Sequence, residues 1–359
     1  MIARMNARTS GSATLRQVAK EAGVHLSTVS RALDPQRRHL ISRDIVARVE
    51  AVAKDLGWRP NRAAASLRRG RSMAIGVLVP DMTNLVTAQI MQGVESSIVS
   101  RGYFPLVVSL HAAPSVKAVI ERLQWQRVDG VVVTTEDDEV LRSLSKLGVP
   151  AVLTARVDPA AMFSSVHADR RSAATLAIDH LHALGHRSIA LLATPQEAFL
   201  GAERLKYALA ALDRHGLQAD AVAVASGVTR DAGLQAFEQL LAKRAPHGPY
   251  RFTAVCAAND LLAFGAYEAT RRVGLSIPRD ISVVGQNDVV MADLVSPPLT
   301  TVRLQHYDMG RQAGDLVIDE IEARANAGEG TAALPPREIV FRPELIVRES
   351  TAAPQVAGL

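Results

Sequence analysis

Residues 14–33 read T-L-R-Q-V-A-K-E-A-G-V-H-L-S-T-V-S-R-A-L. Leu15, Val18, Ala19 and Ala22 recur at i, i+3, i+4 and i+7, which places them on one face of a helix. Thr14 stands at the N-cap, where a hydroxyl satisfies the orphan amides of the first turn. Gly23 allows a sharp turn, and Val24 plugs it. A second short helix is expected to bury Val29 and Leu33 and to stop at Asp34-Pro35, because proline cannot continue it. Its opposite face shows Ser27, Thr28 and Arg31. Two short helices joined by a glycine turn, the second with an outward polar face, form the helix-turn-helix that enters a DNA major groove. An ordinary helical hairpin is the competing reading of the pattern alone.

Charge separates the two. Residues 1–72 hold 15 Lys and Arg against 5 Asp and Glu, a net of +10. The whole chain carries +5, so the remaining residues net −5. A basic headpiece on a mildly acidic body is the electrostatic footprint of a protein that holds a polyanion at one end. The basic residues lie on compact helices with small polar side chains, without the Trp/Phe/Leu face of an interfacial helix. Nucleic acid is therefore the expected partner, not a membrane.

At 359 residues the chain is long enough for two or three domains. Its 48% apolar and 4% aromatic content is that of a globular protein rich in Ala, Val and Leu. The single cysteine, Cys256, lies in the apolar run 252–258, so no disulfide forms within the chain, as expected for a reducing cytosol. The first residues are polar and lack an apolar signal-peptide core. No apolar run approaches the roughly 20 residues needed to span a bilayer. These features together predict a cytoplasmic protein.

Residues 1–13 read as a disordered arm. A third helix is expected from Ser42 as N-cap to Leu56, with Ile45, Val49, Val52 and Leu56 inward, Gly57 at C′ and Pro60 as stop. Residues 58–72 carry four arginines after Arg59 and read as either a weak helix or a linker; a helix this short is marginal in water unless something stabilises it. From Met73 the rhythm changes. Apolar runs of strand length (A-I-G-V-L-V-P, F-P-L-V-V-S-L, D-G-V-V-V-T-T, V-P-A-V-L-T-A, S-I-A-L-L-A, A-V-A-V-A, F-T-A-V-C-A-A and D-I-S-V-V-G) alternate with helical periods. Strands alternating with helices imply parallel sheets covered on both faces. About ten such units exceed one ordinary doubly wound sheet, so two α/β subdomains with a cleft between them are expected. No G-x-G-x-x-G follows a strand, which argues against a dinucleotide cofactor; no cofactor of any kind is expected.

From Thr14 to Ser350 the chain resembles the LacI/GalR family of transcription regulators. The resemblance rests on seven motifs in family order: L-x-x-V-A-K-E-A-G-V-x-x-S-T-V-S-R-A-L (15–33), L-G-W-R-P-N-R-A-A-A-S-L-R (56–68), I-G-V-L-V-P-D (75–81), H-L-H-A-L-G-H-R-S-I-A (180–190), A-N-D-L-L-A-F-G-A (258–266), I-P-R-D-I-S-V-V-G (277–285) and P-P-L-T-T-V-R (297–303). It implies an all-α helix-turn-helix headpiece (14–59), a hinge helix (60–72) and a core (73–351) like periplasmic sugar-binding proteins. Of the core's two doubly wound parallel-sheet subdomains, the N-subdomain is expected over about 73–168 and 304–333. The C-subdomain is expected over 169–303 and 334–351.

The resemblance puts recognition-helix positions at Leu26, Ser27 and Arg31, with Thr14, Thr28 and Ser30 near phosphates. Arg31 either forks to guanine O6/N7 or contacts a phosphate. Leu26 either touches a thymine methyl or staples the helix start. His25 replaces the serine usual at that N-cap, and Arg37, Arg38 and His39 in the Pro35–Leu40 loop are expected at phosphates. In the hinge, Leu67 matches the leucine that the family inserts between minor-groove base steps, with Asn61 near the backbone; such a wedge costs a few kcal/mol of unstacking.

For the effector cleft, the resemblance implies Asn84, Arg156, Arg204, Val228, Asn259 and Asn287. Asn287 and Ala155 stand where many members carry aspartate, and Val228 where some stack an aromatic ring. A cleft with few acids, Arg204 retained and no stacking ring is expected to tolerate an anion: a sugar acid, sugar phosphate or similar polar metabolite. His182 and His186 have i, i+4 metal spacing, but Gly185 ends the helix between them, so no metal site is expected. The acidic run Glu136–Glu139 reads as a solvated loop.

The expected function is a homodimeric, ligand-responsive DNA-binding regulator, most often a repressor of carbohydrate or sugar-acid metabolism, reading a near-palindromic duplex with half-sites about one turn apart. The missing heptad tail after Ser350 predicts a dimer, not a tetramer. A transporter's solute-binding protein would use the same cleft but has no need of a basic headpiece. An enzyme is not expected, since no G-x-S-x-G, H-E-x-x-H or phosphate loop occurs.

Overall fold

The computed structural model describes residues 13–34, 37–58, 71–242, 252–326 and 335–355. Residues 1–12 of the expected arm and residues 59–70 of the hinge, with Asn61 and Leu67, lie outside the described residues, as do Pro35 and Gln36. The chain divides into two compact units, Met1–Ser72 and Met73–Leu359.

The first unit holds α1 (Leu15–Ala22), α2 (Leu26–Ala32) and α3 (Arg43–Asp55). A capping box opens α1: Gln17 N–H donates to Thr14 Oγ1 at 3.3 Å, and Thr14 N–H donates to Gln17 Oε1 at 2.7 Å. Gly23, at φ 65°, takes the left-handed turn that a side chain resists. Val18, Ala22, Val29, Ala32, Val49 and Ala53 bury against one another, with Leu33, Ile45 and Val52 packed around them. Leu56, expected inside, is 38% exposed, because α3 ends at Asp55 and Leu56 caps it from outside. Ser42 holds the N-cap position of α3 but makes no side-chain cap bond.

The second unit is two six-stranded sheets. The first contains β1 (Ala74–Val79), β2 (Phe104–Ser109), β3 (Gly130–Val133), β4 (Ala151–Leu153), β5 (Ser164–Ala168) and β11 (Glu338–Phe341), in the order β11-β5-β4-β3-β1-β2. The second contains β6 (Ile189–Ala193), β7 (Ala219–Val224), β8 (Ala254–Ala257), β9 (Ser282–Asn287), β10 (Thr300–Arg303) and β12 (Glu344–Ile346), in the order β12-β10-β9-β8-β6-β7. The pairing is parallel except for β10 with β12, which is antiparallel. Val- and Ala-rich central strands are buried on both faces, as helices on either side require.

The covering helices are α4 (Leu85–Ser100), α5 (Val116–Trp125), α6 (Asp138–Leu144), α7 (Arg170–Ala183), α8 (Phe199–Asp213), α9 (Arg230–Ala242), α10 (Asp260–Arg272) and α11 (His306–Asn326). The chain passes between the sheets after β5, after β10 and between β11 and β12. The third passage corrects the expected subdomain limits. Residues 338–341 complete the edge of the first sheet, pairing Val340 with His167, so the C-subdomain does not begin at 334. Helix α11 returns to the first sheet and crosses α4 at glycine: a Cβ on Gly310 would lie 2.0 Å from the Ile90 carbonyl oxygen.

Candidate functional site

In the headpiece unit, the polar face of α2 is built by local contacts alone. The recognition-helix start is capped by His25, whose Nδ1 accepts the Ser27 amide N–H at 3.3 Å and contacts Ser27 Oγ at 2.8 Å. Imidazole thus does the work expected of serine. Leu26, Ser27 and Arg31 are exposed, with Ser27 and Arg31 one turn apart on the same face; Thr28 and Ser30 are half-buried beside it, and Thr14 is exposed. Leu26, at 38% exposure, does not retreat into the core as a staple would. Arg37 and Arg38 sit at a short 3-10 turn, and their ion pairs among the described residues, with Asp34 (4.0 Å) and Glu50 (3.9 Å), are loose. Such pairs contribute little, which leaves both guanidinium groups available to an anionic surface.

In the second unit, a cavity of about 430 Å³ lies where the C-terminal strand ends of both sheets face each other. Ligands of doubly wound sheets bind at those ends, and the volume suits a small metabolite. Asp81, Thr135, Glu136 and Thr154 follow strands of the first sheet; Thr194, Val228, Asn259, Asn287 and His306 follow or end strands of the second. Of the six expected effector residues, Asn84, Arg204, Val228, Asn259 and Asn287 line the cavity.

Arg156 does not, which corrects that expectation. Its guanidinium is drawn into the wall, donating to Asp138 Oδ1 at 2.6 Å and to the Glu136 carbonyl at 3.2 Å, and lies 4.4 Å from the Phe199 ring centroid. Of the acidic run, Asp137, Asp138 and Glu139 are exposed, as expected of a solvated segment, but Glu136 is half-buried. Asp137 caps α6, Asp138 holds Arg156, and Glu136 lines the cavity. With Asp81 and Asp260 also present, the cleft is richer in acids than expected.

Arg204 is the cleft's central cation. Burial, together with the nearby Arg170 charge, pushes its pKa down to about 10, and Glu136 and Glu203 oppose that shift. Among the described residues its Nε has no hydrogen-bond partner, whereas Arg170 is tied to Glu203 at 2.6 Å. His306, unnoticed in the sequence, is 7% exposed; burial and then Arg204 push its pKa down to about 3. Its Nε2 meets Asn287 Oδ1 at 3.4 Å, and its Nδ1 has no partner among the described residues. Asn287 is held at φ 109° and the following Asp288 at φ 52°, conformations that cost an L-residue energy. Ion pairs of Asp288 with Arg303 and Arg348, both 2.7 Å, brace that turn.

Asn259 caps α10 by accepting from Leu262 N–H at 2.7 Å, and its Nδ2 donates to the Val228 carbonyl at 3.4 Å. Asn84 caps α4 through Val86 N–H at 2.9 Å. Asp260 is buried, bonded by Thr301 Oγ1 (2.5 Å) and Val289 N–H (2.9 Å); burial raises its pKa to about 7. Among the described residues no Phe, Tyr or Trp ring lines the cavity.

The histidine string has other duties. His186 meets Thr253 Oγ1 at 2.8 Å through Nδ1, and Ser282 Oγ (3.0 Å) and the Ala352 carbonyl (2.9 Å) through Nε2, so it ties the chain's last residues to the second sheet. His182 stacks on His215 with ring centroids 3.9 Å apart. Among the described residues, no group of His, Cys, Asp and Glu is arranged to hold a metal ion, and no helix is long and apolar enough to cross a membrane.

Comparison with known proteins places this geometry. Residues 14–61 match the model for bacterial regulatory proteins of the lacI family, and residues 178–351 that for a periplasmic binding protein-like domain. The HTH-type transcriptional repressor CytR of Escherichia coli (strain K12) is 31% identical over 347 residues, 95% of this chain and 97% of that one. The ribose operon repressor of the same strain is 32% identical over 315 residues, covering 86% and 93%. The crystal structure of the Lac repressor dimer bound to operator and the anti-inducer ONPF superposes with a TM-score of 0.82 at 29% identity, covering 96% of this chain and all of that one. The chain belongs to the lacI family of bacterial regulatory proteins and is a ligand-responsive, DNA-binding transcription regulator.

Proposed function

We propose that this protein represses a carbohydrate-utilisation operon, binding a near-palindromic operator as a homodimer and answering to an uncharged, polyhydroxylated metabolite in its cleft. It acts in the cytoplasm and catalyses no reaction. The observation that carries the DNA half is the exposed Ser27/Arg31 face on a helix capped from within the headpiece. Arg31 reads a base, Leu26 and Ser27 flank it, and Thr14, Thr28 and Ser30 position the helix on phosphates. Asn61 and Leu67 are assigned to the hinge on the family resemblance alone.

The effector half rests on Arg204 and His306. Arg204 Nε–H is a buried donor, and His306 Nδ1, opposite an Nε2 that donates to Asn287, is a buried acceptor. A hydroxyl both gives and takes a hydrogen bond and so suits both, whereas a bare anion offers Nδ1 nothing. Asn84, Asn259, Asn287 and Val228 complete the lining. The carboxylates of Glu136 and Asp81 move the reading away from the anion expected from the sequence.

Gel-shift on the protein's own promoter tests the assignment, with ribose, cellobiose, gluconate and ribose 5-phosphate added in turn. A neutral sugar is expected to change operator affinity 5–150-fold, the span of coupling energies of about 1–3 kcal/mol. A response confined to the acidic compounds contradicts the effector assignment, and absence of any shifted band contradicts the DNA assignment.

A further inference from the structure

Helix α8 begins without a cap of its own. Its N-cap residue is Ala198, whose methyl group accepts nothing, and the first amides of a helix lack partners inside it. The missing acceptor comes from the other sheet. Glu136, just after β3, receives the Leu200 N–H on its carboxylate. A negative group at that end also suits the helix dipole. Arg204 lies one turn further along the same helix, and the Glu136 charge favours its guanidinium form. A second grip lies beside the first: Arg156, fixed by Asp138 and the Glu136 carbonyl, stacks its guanidinium on Phe199 at 4.4 Å. The first sheet thus holds consecutive residues of α8 at two points.

We infer that Glu136 is an internal counter-ion of the cleft, capping α8 across the gap between the two sheets and filling the position that an anionic effector would take beside Arg204. It latches the cleft and selects against anions at once. An uncharged polyol enters without disturbing it. A carboxylate or phosphate meets a like charge in its place and has to displace it, opening the latch. The inference rests on the effector reading above for its consequence, and on the Glu136–Leu200 contact for its substance.

The test is hydrogen exchange at the Leu200 amide in the full chain, with inorganic phosphate as the anion probe. Glu136→Ala removes the cap, so exchange at Leu200 is expected to quicken at least 10-fold while the middle of α8 is unchanged. Millimolar phosphate, taking the vacated position, slows it again in the variant and leaves the unmodified protein unaltered. Glu136→Gln, which keeps an acceptor but not the charge, retains near-normal exchange yet gains phosphate binding by calorimetry. It serves as the second variant should Glu136→Ala fold poorly. Unchanged exchange in Glu136→Ala, equal phosphate protection of both proteins, or no gain of phosphate binding in Glu136→Gln overturns the inference. These readouts involve no DNA, so a failed operator assay leaves them standing and their failure leaves the operator assay standing.

Discussion

In the headpiece, the side chains offered to DNA sit within one stretch of some twenty residues, and the caps that hold them span two or three positions: Thr14 with Gln17, His25 with Ser27. In the cleft, the working contacts join residues far apart in sequence: Glu136 with Leu200, Arg170 with Glu203, Asn287 with His306. The headpiece core is only seven buried residues among those described, four of them alanine, whereas the cleft stands on two full sheets. A surface displayed on so small a core depends on packing. A pocket assembled from strand ends depends on the balance of buried charge.

The first way to break this contrast is Val29→Ala. Val29 is fully buried in the headpiece, and losing two methyl groups with the cavity they leave costs about 2–3 kcal/mol. Operator affinity is expected to collapse while effector binding, measured by calorimetry, stays within twofold. Arg31→Ala comes next: a lost base contact costs about 1–3 kcal/mol, seen as relaxed sequence preference in competition gel-shift with the fold intact. A uniform loss on all sequences, with a smaller salt slope, assigns Arg31 to phosphate instead.

In the cleft the corresponding lever is pH. His306 takes up a proton near pH 3 when folded but near 6.5 when unfolded, so the unfolded chain binds more protons in between and stability falls as pH drops from 6.5 toward 3. Asp260 does the reverse. It keeps its proton up to about pH 7 folded but loses it near 3.8 unfolded, so stability falls as pH rises through that window. Melting curves from pH 4 to 7 are expected to show His306→Gln gaining on the unmodified protein toward acid, and Asp260→Asn gaining toward neutral. Each slope is at most about 1.4 kcal/mol per pH unit. Slopes of the same sign would contradict the assignment. The smallest effect is Thr14→Ala, which removes the capping-box hydroxyl and lowers headpiece stability by about 1 kcal/mol in chemical denaturation.

The same contrast decides what was legible in the sequence. Helices set by period and punctuation, such as Leu15–Ala22 and Arg43–Asp55, were readable to within a residue or two, because the signals that start and stop them are local. The parallel strands were readable as apolar runs, since burial on both faces makes them so. Edge strand Glu338–Phe341 was not: its alternating, half-exposed E-I-V-F carries a weak signal, and its membership of the first sheet is a fact of topology. Arg156 matched a motif position, yet its direction depends on Asp138 and Phe199, which no motif joins to it. Glu136 sat in an acidic run whose ordinary reading is a solvated loop. Only the approach of Leu200 from the other sheet shows otherwise. His306, one neutral ring at a helix start, gave no pattern at all.

The central claim is that α2 of the headpiece reads a duplex and the cleft governs that reading. Fluorescence anisotropy of the full chain on the duplex upstream of its own coding region, titrated at several salt concentrations beside a scrambled duplex, tests it most directly. The account predicts at least about 10³-fold preference for the native sequence, a steep fall in affinity with salt, and a shift in affinity when a neutral sugar fills the cleft. Equal affinity for both duplexes, indifferent to every sugar tried, would contradict it.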